Sequence, residues 1–344
     1  MSGRGARLLL LLLVIVVAVV WFGCSGDKGA GPGCTQPTID NIWPNEDGRF
    51  WAYKVTVNMW DDGGNVCETL YDCEDDPPPL PSWRRIEDLL DAHDIPEDVT
   101  TSNAMYRIAF AGDTTSMSGV TAQNLRESLD IPGRQAASAG SRCRIHPFVA
   151  RLYMARPDLR RVIEDRFGLD PQRDQGILCA ENATLMMGCL EWECPLLIHG
   201  YVWEKTQDWI GTYGDLDTLL AWKFLDADLS TGHEFTHQLL PSLADDAFLH
   251  CKVTGRVKVE TDYRGFPNAL DCLYIIDYGS WTVTDAGGNP LGCCRTIDYG
   301  RVIYVPEVGP VYTYERMLVN PGEPSSIGIG ERILTLTDTG APSR

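Results

Sequence analysis

The chain has 344 residues, of which 44% are hydrophobic and 22% charged, a composition typical of globular proteins. It carries 48 acidic against 29 basic side chains, for a formal net charge of −19 at pH 7. That charge repels nucleic acid and anionic lipid head groups, so we expect no nucleic acid among its partners.

The N-terminus carries an export signal. Arg4 and Arg7 precede fifteen consecutive apolar residues, Leu8 to Phe22. This run is shorter than the roughly 20 residues of a membrane-spanning helix and fits the apolar core of a signal peptide. We therefore expect residues 1–23 to be a signal peptide.

The pair Gly23-Cys24 resembles the last two positions of the lipobox of bacterial lipoproteins, although Trp21 and Phe22 depart from that pattern. The resemblance implies that Cys24 is acylated and holds the protein to a membrane; an uncleaved anchor and plain secretion are the alternatives. Residues 24–39 contain a Gly-rich stretch and predict a flexible tether. The expected location is the bacterial cell envelope, at the outer membrane or the cell surface.

Strand and helix patterns alternate through the first half of the chain. Phe50 to Trp60 alternates apolar and polar residues and predicts a half-buried strand. Ser82 can cap a helix with Ile86 and Leu90 on one face, and Thr121 can cap a second helical run through Leu129. A helical pair is predicted over 146–167, where Pro157 suits a first helical position.

The second half predicts strands up to the C-terminus. Their expected ranges are Leu197 to Trp203, Phe248 to Thr261, Leu270 to Val283, Arg301 to Val305, Val311 to Val319 and Arg332 to Thr337. The turn-forming run Asp285 to Pro290 separates two of them. The tetrapeptide Ile-Asp-Tyr-Gly occurs at 276–279 and again at 297–300, which indicates two similar strand ends rather than a repeat array.

Cysteine is frequent, with eleven residues besides Cys24: Cys34, Cys67, Cys73, Cys143, Cys179, Cys189, Cys194, Cys251, Cys272, Cys293 and Cys294. An exported chain meets oxidising conditions, so most should form disulfides, and the odd number leaves at least one outside intramolecular pairs. The spacings lack the paired C-x2-C pattern of zinc ribbons, which favours a disulfide framework.

Two motifs at opposite ends of the chain carry a family resemblance. Gly48-Arg-Phe-Trp51-Ala-Tyr53 opens the first strand, and Tyr304-Val-Pro306-Glu-Val308-Gly309 lies near the C-terminus, followed by Tyr314-Glu315. Together they resemble a group of largely uncharacterised bacterial envelope lipoproteins with a β-rich domain. The resemblance implies a curved antiparallel sheet similar to half-barrels that bind lipoproteins or hydrophobic ligands, and it implies no established activity.

The predicted fold is therefore α+β and mainly β, with a curved, half-barrel-like antiparallel sheet. Residues 40–344 form the β-rich domain, and a helical, Cys-rich insertion interrupts it at around 130–195.

His233-Glu-Phe-Thr-His237 matches the H-E-x-x-H motif. On a helix this spacing lets His233 and His237 bind zinc while Glu234 acts as general base, the arrangement of a secreted zinc metallopeptidase. The flanking Gly232 and Pro241 leave little room for a helix. In a strand the two histidines would lie about 13 Å apart and could not share one metal.

We expect a lipid-anchored envelope protein with a non-catalytic binding or structural role, and no cofactor. Its partners are the membrane, through the lipid, and an envelope protein or ligand that the sequence does not identify. The alternative is the zinc metallopeptidase that uses Glu234, His233 and His237.

Overall fold

The computed structural model describes residues 36–44, 46, 48–60, 70–92, 100–115, 121–130, 152–153, 155–167, 201–205, 209–213, 221–239, 243–285, 287–319 and 328–340. The chain divides into two units, Met1–Gln36, of which only Gln36 is described, and Pro37–Arg344, which holds all the elements named below. Within the described ranges, no helix is both long and apolar enough to cross a membrane.

Strands dominate the second unit. They are β1 (Phe50–Trp60), β2 (Leu70–Tyr71), β3 (Thr100–Thr115), β4 (Thr121–Asp130), β5 (Tyr201–Lys205), β6 (Trp209–Tyr213), β7 (Ala221–Asp226), β8 (Glu234–Gln238), β9 (Phe248–Glu260), β10 (Gly265–Thr284), β11 (Pro290–Val305), β12 (Gly309–Val319) and β13 (Gly328–Gly340). The helices are α1 (Ile39–Ile42), α2 (Trp83–Ala92) and α3 (Arg160–Phe167), and α3 follows a short 3-10 helix at Pro157–Leu159.

All of these strands belong to one antiparallel sheet, which confirms the mainly β prediction. Its order is β7-β6-β5-β4-β3-β1-β13-β12-β11-β10-β9-β8, and β2 pairs with β11 beside this path. The sheet is open, since β7 and β8 stand at its two ends and no pairing joins them among the described residues. These two end strands are nevertheless consecutive in the chain.

The alternation predicted for β1 sets which face of the sheet is buried. Trp51, Tyr53, Val55 and Val57 are all buried, and they join a core that also includes Val253 of β9. We call this face the inner face. Lys54 points away from it and is exposed.

The opposite, outer face is covered in part by α2. Ser82 caps this helix as predicted, with its Oγ 3.3 Å from the backbone nitrogen of Arg85. Ile86 and Leu90 are buried and pack with Ile275 of β10 and Tyr314 of β12. The amphipathic pattern in the sequence therefore predicted both the helix and its buried stripe.

Two hydrogen bonds join the first strand to the start of β12 and the residue before it. The Trp51 indole donates a hydrogen bond to the carbonyl of Val308, and the Tyr53 hydroxyl donates one to the carbonyl of Pro310 at 2.9 Å. Gly309 lies against the Trp51 ring with a φ of +103°. The residues of the two motifs thus meet in the folded protein.

The helix predicted from Thr121 to Leu129 is wrong, because these residues form β4. The strand pairs with β3 through a register that joins Thr115 to Thr121 and Tyr106 to Leu129. Main-chain pairing across the hairpin overrides the local helix propensity of this run.

The predicted Cys-rich insertion is not confirmed. Its described part contains the 3-10 helix, which begins at Pro157 as expected, and α3. The cysteines assigned to it, which are Cys143, Cys179, Cys189 and Cys194, lie outside the described residues.

A disulfide joins the segment after β2 to β11. Cys73 is bonded to Cys293 of β11, with a Cα–Cα distance of 5.0 Å. Its neighbour Cys294 is also disulfide-bonded. Cys251 and Cys272 are buried thiols, and burial raises the pKa of both. Of the disulfides expected of an exported chain, the Cys73–Cys293 bond is present, while Cys251 and Cys272 lie outside any disulfide.

Candidate functional site

The H-E-x-x-H motif lies on the end strand β8 and not on a helix. His233 immediately precedes the strand, and Glu234 to Gln238 pair with β9. His233, Phe235 and His237 are half-buried, whereas Glu234 and the other alternate residues are exposed. The extended backbone therefore places Glu234 on the opposite side of the strand from both histidines.

The side chains of the motif are engaged separately. Phe235 lies between the histidines, with ring centroids 5.9 Å from His233 and 5.3 Å from His237. The two ring nitrogens of His233 lie 3.1 Å from an Asp226 carboxylate oxygen and 3.3 Å from one of Asp228. The structure does not bring His233 and His237 together as a ligand pair.

Glu234 is likewise committed to a partner of its own. It accepts a hydrogen bond from the Lys252 ammonium at 2.7 Å, and this bond lowers the pKa of the carboxyl group. A Glu held by Lys252 and turned away from both imidazoles is not placed to take a proton from a metal-bound water. In the part of the chain that the structure describes, no group of three or more His, Cys, Asp or Glu side chains is arranged to hold a metal ion. Cys24, the predicted lipidation site, lies outside the described residues.

A cleft of about 380 Å³ opens on the outer face beside β8, and we call it the outer cleft. It is lined from β8, the start of β9 and the interiors of β10 and β11, with the segment after the Cys73 disulfide along one side. Its volume falls in the usual range for small-ligand sites. It is lined by Pro77, Thr236, Asp246, Phe248, His250, Asp277, Gly279, Ser280 and Arg295.

One wall of the outer cleft is built on a buried ion pair. The Asp277 side chain is 2% exposed, and its carboxylate accepts hydrogen bonds from Arg295 and from the backbone nitrogen of Gly279. Arg295 also donates to the carbonyl of Pro78 at 2.7 Å, which holds the covering segment in place. Hydrogen bonding to Asp277 raises the pKa of Arg295, so the guanidinium stays charged at neutral pH.

The opposite wall carries Asp246. Its side chain is 42% exposed, and it accepts from Arg156 at 2.8 Å and from the backbone nitrogen of Ser280 at 2.9 Å. Arg156 is buried, and it also forms a two-pronged pair with Asp158. Asp246 is therefore a fixed carboxylate with part of its surface open to the cleft.

His250 forms part of the floor with Phe248. Its Nδ1 lies 3.0 Å from the Thr236 hydroxyl, and its Nε2 is buried. Burial lowers the pKa of His250; the Arg295 charge lowers it further, while Asp277 raises it. The imidazole is therefore neutral at pH 7.

Sequence reasoning missed this cleft. Its only trace was the repeated tetrapeptide, whose two copies pair with each other so that Asp277 lies opposite Ile297 and Ile276 opposite Asp298. Asp277 points to the outer cleft, whereas Asp298 accepts from the Tyr278 hydroxyl on the inner face. The Asp in each copy was the sequence signal for a buried polar site. Only the strand register shows that Asp277 and Asp298 lie on opposite faces of the sheet.

No protein-family model and no curated protein sequence matches the chain. Two solved structures are similar to it. One is a protein of Bacteroides fragilis assigned as exported, with a YmcC-like fold; it is 10% identical at a TM-score of 0.29, over 88% of this chain and 99% of that one. The other is a protein of Parabacteroides distasonis assigned as a lipoprotein, 10% identical at a TM-score of 0.25, over 89% of this chain and 100% of that one. At these TM-scores, neither the fold details nor the function of the two proteins can be assigned to this chain.

Proposed function

We propose that this chain is an exported protein that is acylated on Cys24 and held at a membrane of the bacterial envelope, where its β-rich body acts by binding. The observation that carries the proposal is the N-terminal order of two arginines, an apolar run of signal-peptide length, and Gly23-Cys24. The Cys73–Cys293 disulfide supports export, because such bonds persist in oxidising compartments.

The proposed arrangement is a signal peptide over 1–23, a tether over 24–39 and a folded body over 40–344. The first described helix, α1, begins at Ile39 behind a capping Thr38, and Ile39 is buried in the core, so the folded body begins slightly before that boundary. We also propose that the sheet is curved. Its end strands β7 and β8 are joined through residues 227–233, and His233 contacts Asp226 across that connection.

The geometry supports binding rather than catalysis. The outer cleft offers about 380 Å³ of partly open space beside fixed polar groups, a size found in ligand sites. The strand that carries the H-E-x-x-H motif separates the residues that a zinc peptidase would need together. We therefore propose no peptidase activity.

The test of the anchor is the mass of the N-terminal peptide from protein expressed in a bacterial host. We expect a signal peptide cleaved before Cys24, acyl chains on that residue, and recovery of the protein with the membrane fraction. Cys24→Ser should abolish both acylation and membrane recovery. Cys34→Ser is the matched control, since it removes a nearby thiol and should change neither. Membrane recovery of Cys24→Ser, or an N-terminal peptide without acyl chains, would contradict the proposal.

A further inference from the structure

We infer that the outer cleft receives a basic side chain, lysine or arginine, of a partner polypeptide. The inference deepens the binding role proposed above and rests on it. The charge balance of the cleft and the chemistry of its walls both favour a lysine or arginine side chain.

Charge comes first. Among the described residues that line the cleft, the formally charged side chains are Arg295, Asp246 and Asp277; behind the wall, Arg156 pairs with both Asp246 and Asp158. Two positive charges against three negative ones leave one negative charge. Because Arg156 is already paired with Asp158, the surplus falls on the partly exposed Asp246.

Residues next to the outer cleft add to its negative charge. Asp76 precedes the wall residue Pro77, Asp245 precedes Asp246, and both are exposed. In the described part of the chain, Lys252 is the lysine of β9 beside His250, and it is paired with Glu234. His250, on the floor, carries no charge at pH 7 because its burial favours the neutral ring. An anionic ligand would meet repulsion here, whereas a cation is attracted.

The walls are suited to a side chain with an apolar stem. Phe248 and Pro77 present carbon surface to the cleft. The polar atoms of Asp277 and Arg295 are mostly hydrogen-bonded to each other and to the Pro78 carbonyl. Lysine and arginine place methylene groups against such carbon and keep the charged head at a polar edge. A cation over the Phe248 ring gains further attraction.

The head group has acceptors within the same space. Asp246 is held rigidly by Arg156 and by the Ser280 backbone nitrogen, so it loses no side-chain freedom when a cation binds. The hydroxyls of Thr236 and Ser280 also line the cleft. An ammonium or guanidinium that displaces water at Asp246 forms a charge-assisted hydrogen bond.

The experiment is calorimetric titration of the full chain, in detergent at 0.15 M salt, with a peptide of alternating glycine and lysine. The ligand-side control is the same peptide with every lysine acetylated, which removes the charge and leaves the protein untouched. We expect the acetylated peptide to bind at least tenfold more weakly.

Three variants locate the site. Asp246→Asn removes the surplus charge, and Thr236→Trp fills the cleft without changing any charge; each should weaken binding at least tenfold. Asp262→Asn is the matched control, because it removes an exposed charge in the β9–β10 turn at the far end of β9, and it should bind as the parent does. Should Asp246→Asn fail to fold, Thr236→Trp decides.

The inference is overturned by equal binding of the acetylated peptide, by unchanged binding in Thr236→Trp, or by no binding at all. The N-terminal mass of the same preparation reports on the anchor separately. A preparation that is acylated but does not bind the lysine peptide defeats this inference and leaves the proposed anchoring intact.

Discussion

The indole nitrogen of Trp51 donates a hydrogen bond to the main-chain carbonyl of Val308, 257 positions later in the chain. Trp51 is fully buried, so the bond satisfies two polar groups that are both removed from water. Gly309, the next residue, lies against the same ring. The Trp-x-Tyr and Val-Gly elements of the two end motifs are therefore explained by packing and hydrogen bonding within the fold, not by a reaction.

Trp51→Phe should lower the free energy of unfolding by about 1–3 kcal/mol, because it leaves the Val308 carbonyl buried without its donor. Urea denaturation followed by far-UV circular dichroism measures the loss. Trp281→Phe is the matched control, since its indole is only partly buried and lies 3.4 Å from the Thr296 hydroxyl. We expect a smaller loss there. Equal losses would show that ring volume, rather than the hydrogen bond, sets the effect.

Gly309→Ala should destabilise the protein more than Gly288→Ala does. Both glycines have positive φ, +103° and +82°, so each substitution incurs backbone strain of about 1–3 kcal/mol. At Gly309 the added methyl group would also lie 2.7 Å from the Trp51 indole nitrogen, whereas nothing lies within 4 Å of it at Gly288. Melting temperatures of the two variants give the comparison. A Gly288 variant that melts at or below the Gly309 variant contradicts the contact.

His250 should make the protein less stable in mild acid. Burial lowers the pKa of His250 from its ordinary 6.5, so the unfolded chain takes up a proton at a higher pH than the folded one does. Stability is therefore full above about pH 6.5 and falls as the pH drops toward the lowered pKa. His250→Gln has no such proton and should lose less stability between pH 7.5 and 5.5 in urea denaturation. The same loss in both proteins would refute the assignment.

Zinc content should not depend on His237. The strand geometry of β8 and the intervening Phe235 ring keep His237 and His233 from converging on one ion. After equilibration with zinc and dialysis, elemental analysis of the parent and of His237→Ala should give the same ratio of metal to protein. One zinc per chain that disappears only in His237→Ala would restore the metallopeptidase alternative.

Elements with strong periodicity were predictable from the sequence. The alternation of β1 and the amphipathic face of α2 are set by local spacing, and both formed as expected. β4 was not predictable in this way, since its helix-like run is extended only because β3 pairs with it. Local propensity sets the secondary structure of a segment that has no competing partner strand. Where a partner strand is available, sheet pairing overrides that propensity.

The outer cleft could not be predicted from the sequence. Asp277 and Arg295 are 18 residues apart and meet through a register shift between β10 and β11. Asp246 and Arg156 are 90 residues apart and meet through packing of the segment before α3 against the sheet. Apart from Asp277, which lies in the repeated tetrapeptide, none of these residues belongs to a sequence motif, because the distances that matter are set across strands rather than along the chain.

The order of the strands constrains how the protein can be made. β1 lies between β3 and β13, and its register joins Phe50 to Gly340, so one of its two neighbours is synthesised after all the other described strands. Contacts that close such long loops form slowly. Until β13 has been synthesised, β1 therefore presents an open edge to other chains, and we expect nascent protein truncated before β13 to be captured by chaperones or proteases rather than to accumulate.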